Sequence, residues 1–96
     1  MDTETIKNEI SRLIYFLSLP STDVIWSKYE NANEAIEELK LLETDIINND
    51  KNSIDKLLYL LSPTASLQEI SIDSGWGNEY LDIAEKLETA LGKQAV

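Results

Sequence analysis

The chain contains no cysteine and no histidine. Without a thiol there is neither a disulfide framework nor a thiolate nucleophile. Without an imidazole the commonest general base and the commonest metal ligand are both missing. Basic residues are scarce, 8 against 18 acidic ones, and the formal charge is -10. A field of that sign repels nucleic acid and anionic membranes, so neither is expected as a partner. With 3 glycines in all, no glycine-rich phosphate loop is present. No apolar run approaches the ~18 residues of a membrane span. The opening Met-Asp-Thr-Glu-Thr-Ile-Lys is acidic and polar rather than a basic region followed by an apolar one, so no leader is expected. These absences fit a bacterial-type cytoplasmic protein.

What is present is ordinary globular material. A hydrophobic fraction of 43% and a charged fraction of 27% make a folded chain the expectation despite the charge. At 96 residues there is room for one domain, 1–96, burying about 60–70% of its unfolded surface. Only Ile70-Ser71-Ile72 alternates with period two, so no sheet is expected. The fold class read from the spacing is all-α, a small bundle of four main helices plus short connecting helices.

Ile6, Ile10, Leu13, Ile14 and Leu17 recur at helical steps and predict a first helix over 3–19, with Tyr15 nearly opposite the stripe. Pro20 ends it, and Val24, Ile25, Trp26 and Tyr29 predict a short second helix or helical turn. Asn31 and Glu34 have capping-box spacing. The helix that follows carries Ala35, Leu39, Leu42 and Ile46 inward, Ile36 and Ile47 on its flank, and Glu37, Lys40 and Thr44 outward. Leu41 is unusually apolar for its direction. A polar loop over 48–52 resembles the start of a calcium loop, but Ser53 and Tyr59 stand where the turn glycine and bidentate glutamate belong, which excludes that reading. Ile54, Leu57, Leu58 and Leu61 predict a compact helix stopped by Pro63.

The stretch 63–91 departs most from generic scaffold. Ser66 and Glu69 are spaced as a capping box, Gly75 is placed to end a short helix over 67–73, and Gly77-Asn78 opens the last helix. That helix presents Tyr80, Ala84, Leu87 and Leu91 inward, with Leu81 and Ile83 flanking, and stops at Gly92, leaving 93–96 to fray. Trp76, at the corner between two glycines, reads first as a core plug. Between Lys56 and Lys86 no basic residue occurs, while Glu69, Asp73, Glu79, Asp82 and Glu85 do. On adjacent helices these predict an acidic surface that steers a basic partner. Glu69 and Asp73, or Glu34 and Glu38, have the spacing of a carboxylate pair, but nothing else that catalysis or a metal site needs accompanies them. No enzyme, cofactor or metal is expected. An acyl-carrier reading fails because Asp73-Ser74 is followed by Gly-Trp rather than leucine.

Pro63-Thr64, Leu67-Gln68-Glu69, Gly75-Trp76-Gly77 and Glu79-Tyr80-Leu81 together resemble a pattern in small acidic bacterial immunity proteins of polymorphic toxin systems. The chain differs in sequence from the colicin-type immunity proteins, so no toxin-binding residue carries over from them. The resemblance implies a protein partner, a toxin neutralised by stoichiometric binding, and the charge implies that this toxin is basic. The residues expected to meet it are Glu69, Asp73, Glu79 and Asp82 by charge, with Trp76 or Tyr80 as an apolar anchor. The alternative expectation is a self-associating structural or regulatory helical module, with Tyr15, Leu41 and the Trp26–Tyr29 pair forming a homodimer face.

Overall fold

The computed structural model describes residues 2–25, 27–63 and 65–92. The expectations for Trp26, for Thr64 and for the 93–96 tail lie outside the described residues. Within them the chain is all-α: α1 (Thr3–Leu17), α2 (Ala32–Ile47), α3 (Lys51–Leu60), α4 (Ser66–Asp73) and α5 (Gly77–Ala90). The first, second, third and fifth are the main helices of the bundle and α4 is a short connector. No helix among the described residues is long and apolar enough to cross a membrane.

Each helix starts and stops for a local reason. Asp2 caps α1, its carboxylate accepting from the Thr5 amide at 3.1 Å and the Thr5 hydroxyl at 2.6 Å. Those bonds hold its carboxyl below the usual range. Asn31 caps α2 by accepting from the Glu34 amide, and the Glu34 carboxylate reaches back to the Glu30 amide at 2.7 Å. The expected box therefore forms, with its return bond one residue early.

The link between α2 and α3 is shorter than the sequence suggests. Asn49 adopts φ 66, a left-handed conformation that asparagine tolerates. The Asn49 and Asp50 amides then close back onto the Ile46 and Asp45 carbonyls at 2.9 and 3.0 Å, a Schellman stop. Asp50 immediately caps α3 by accepting from the Asn52 amide at 3.0 Å. The helix thus begins at Lys51, three residues before the first apolar position of its stripe. Gly75, at φ 86, does the same for α4, with the Gly75 and Trp76 amides bonding to the Ile72 and Ser71 carbonyls.

Two sequence expectations are corrected. Of the short helix or helical turn expected near 24–29, the described residues form turns and no helix. Asp23 accepts from the Ile25 amide, the Ser27 hydroxyl donates to the Val24 carbonyl, and the Ser27 oxygen accepts from the Tyr29 amide. Such local side-chain bonds compete with a helical ladder, and this segment is rich in the residues that make them. Ser66 does not close a capping box either: α4 has no side-chain cap, and the Ser66 hydroxyl accepts instead from the Lys28 amide at 3.2 Å. A tertiary contact with the turn segment has taken the hydroxyl that local spacing assigned to the helix.

The core is one cluster. α1 packs on α5 and α2, α2 on α3, and α4 on α5. Ile6, Ile10, Leu13 and Leu17 from α1 are fully buried against Ala35, Leu39 and Ile46 of α2, with Leu57 of α3 and Tyr80, Ile83 and Leu87 of α5 in the same cluster. Burying each of the large aliphatic side chains stabilises the fold by about 1.5–3 kcal/mol before the entropy of ordering is subtracted.

Candidate functional site

The α4–α5 corner is where the sequence places the partner surface. Trp76 is 3% exposed and Tyr80 0%, so both rings belong to the core and neither is offered as an anchor. Trp76 stacks on Phe16 of α1 with ring centroids 5.3 Å apart and planes at 23°. Its indole N–H donates to the Thr22 hydroxyl at 3.3 Å. Tyr80 lies 6.5 Å further on, and its hydroxyl donates to the Leu61 carbonyl at the end of α3. Burial, and then the charge of Glu88, push its phenol well above the ordinary tyrosine range. The Asp23 amide donates to the Ser74 hydroxyl at 2.8 Å, fastening the 18–25 turn segment to the same corner. A tryptophan here is a plug, because its ring fills the junction of α1, the turn segment and α5 while its one polar atom is satisfied.

The four acids of that region do not behave alike. Glu69 and Asp73 are exposed on α4 and Glu79 is half-buried at the start of α5. None of these three enters an ion pair among the described residues. Asp82 does: its carboxylate meets Arg12 of α1 at 2.9 Å and Lys86 at 3.1 Å. Arg12 also meets the buried Glu9 at 2.6 Å. The Arg12 guanidinium, then the Lys86 ammonium, hold the Asp82 carboxyl below its usual range, and Arg12 is in turn pushed up, chiefly by Asp82. Asp82 is therefore an internal clasp between α1 and α5 rather than free charge. The stretch without basic residues is crossed by an arginine from the far end of the chain.

A second region gathers Leu41 and Tyr29, which the sequence assigned to a homodimer face, with acids of α2. An open groove of about 790 Å³ runs between the 28–31 segment, α2 and the start of α3. Glu34, Glu37, Glu38, Leu41 and Asp45 all line it, and their spacing puts them on one face of α2. Leu41 is 67% exposed and lies one turn from the glutamates on one side and from Asp45 on the other. Leu42 and Tyr29 supply further apolar lining, and Ser53 and Lys56 form the α3 side.

The polar groups of this groove are partly pre-set. Glu38 accepts from the Tyr29 hydroxyl at 3.0 Å and from the Lys28 ammonium at 3.3 Å, and that ammonium sits 5.1 Å from the Tyr29 ring centre. Burial, then Glu38, push the Tyr29 phenol up, so it remains a neutral donor. Tyr29 is itself buried, which removes it from the expected homodimer face; Tyr15 and Leu41, the other two described members, are exposed at 61% and 67%. Glu37 makes only a long, exposed contact with Lys40 at 3.7 Å. No cluster among the described residues has the acids, histidines or cysteines to hold a metal ion. The arrangement offers charge and apolar contact together.

The visible signal for this groove was Leu41 itself, a leucine on a charged face with acid one turn before it and one turn after. The other half, the approach of the 28–31 segment and Lys56, depends on tertiary packing. No protein-family model, no curated protein and no solved structure matches this chain.

Proposed function

We propose that this chain is an immunity-type inhibitor, a non-catalytic bacterial protein that acts in the cytoplasm by binding a cognate basic toxin in a stoichiometric complex. The observation that carries the reading is the excess of acid left after internal pairing. The net charge is -10, and Glu69, Asp73 and Glu79 have no cationic partner among the described residues. Carboxylates of this kind add little to the stability of the fold and act instead on encounter with a positive surface. The sequence resemblance in the 63–91 stretch adds the toxin. Co-expression with the product of an adjacent toxin-like gene tests the proposal. The expected result is restored growth and a 1:1 complex that weakens as salt is raised; absence of both protection and complex would overturn it.

A further inference from the structure

We propose that the groove between α2 and α3 is the docking surface for an amphipathic helix of the partner, one that presents an aliphatic side chain flanked by lysine or arginine. This deepens the binding reading above and rests on it. Leu41 is exposed at 67% within the lining of an open groove that also holds Leu42 and Tyr29, so an aliphatic side chain placed there meets apolar surface. The carboxylates of Glu37 and Glu38 lie one helical turn before it and that of Asp45 one turn after. A turn advances about 5.4 Å, so a partner helix with leucine between two cations meets apolar floor and carboxylate in register.

The same lining argues against a purely cationic ligand. Lys28 and Lys56 also face the groove, and Lys28 already neutralises part of Glu38 at 3.3 Å. Four carboxylates against two lysines leave a modest excess of acid. Cation density alone gives weak, salt-sensitive association, and specificity has to come from the apolar contact at Leu41.

The test uses the full chain, labelled with ¹⁵N, and a synthetic 15-residue helical peptide of leucine and lysine. Oligolysine and a leucine–glutamate peptide serve as controls. Saturable amide shifts are expected at Glu37, Glu38, Leu41, Asp45 and Ser53 with the leucine–lysine peptide, weaker ones with oligolysine, and none with the acidic peptide. Leu41→Ser removes the apolar contact and is expected to weaken binding about tenfold; Glu37→Gln is expected to weaken it about twofold. Both side chains are exposed, so circular dichroism should match the parent.

Shifts centred on Glu69, Asp73 and Glu79 would overturn the groove while leaving the basic partner standing. No saturable shift with either cationic peptide would overturn the groove, while co-expression with the toxin-like gene product decides the basic partner separately. Equal binding by Leu41→Ser, or equal shifts with the acidic peptide, would overturn the groove as drawn. Groove shifts that appear on raising protein concentration alone, with a dimer in sedimentation, would make a second copy of the chain the occupant and overturn the heterologous one.

Discussion

The α4–α5 corner and the α2–α3 groove both combine aromatic, apolar and acidic residues, yet they expose them differently. At the corner both rings and one of the acids are consumed internally, while Glu69, Asp73 and Glu79 stay unpaired among the described residues. The Trp76 ring lies against Phe16, its N–H is held by Thr22, the Tyr80 hydroxyl is held by Leu61, and Asp82 is held by Arg12 and Lys86. In the groove the apolar residue faces out and the acids around it are spread along an open wall. In a chain of 96 residues the large rings are needed to fill the core. Leu41 is a leucine that the core did not need.

Substitutions should separate the two regions cleanly. Trp76→Ala is expected to have the largest effect, a loss of about 3–5 kcal/mol in denaturant unfolding, because a buried ring is replaced by a cavity. Set against a total stability of about 5–15 kcal/mol for a typical domain, that is a large share. If Trp76→Ala unfolds at the same denaturant concentration as the parent, the corner is not a plug. Tyr80→Phe is expected to cost about 1–2 kcal/mol, since it strands the Leu61 carbonyl while leaving the ring in place. Gly75→Ala should cost about 1 kcal/mol through its positive φ, with shorter hydrogen-exchange protection at the start of α5 as the local readout.

Asp82 gives the comparison a pH dependence. Its carboxyl is depressed in the folded state by Arg12 and Lys86, so its contribution is present above its unfolded value of 3.8 and is lost as pH falls through the lower folded value. The stability gap between the parent and Asp82→Asn should therefore be open near neutrality and shrink as pH falls below 3.8. High salt should narrow it as well. A gap that persists in acid would assign the effect to packing. The smallest effect belongs to the groove: Leu41→Ser should change unfolding by no more than about 0.5 kcal/mol, although the same change is expected to weaken peptide binding.

Much of the fold was legible along the chain. The buried stripes of α1, α2 and α5, the Asn31 cap, the stop at Pro63 and the left-handed turn at Gly75 are all local, set by residues within about one helical turn. The candidate site was less legible, because its parts meet through long-range contacts. Arg12 and Asp82 lie 70 positions apart, and the Lys28 amide finds Ser66 across 38. No spacing rule connects such pairs. Periodicity placed Tyr80 inward but did not prevent its ring from also being read as a contact. Leu41 was visible as an anomaly, though only the neighbouring segment and α3 make an exposed leucine part of a groove.

Asp50 has a consequence for that groove. Its amide secures the end of α2 on the Asp45 carbonyl, its carboxylate starts α3 at Asn52, and its carbonyl accepts from Ser53 and Ile54. One residue thereby fastens both banks, and fraying of either helix at this junction loosens the other.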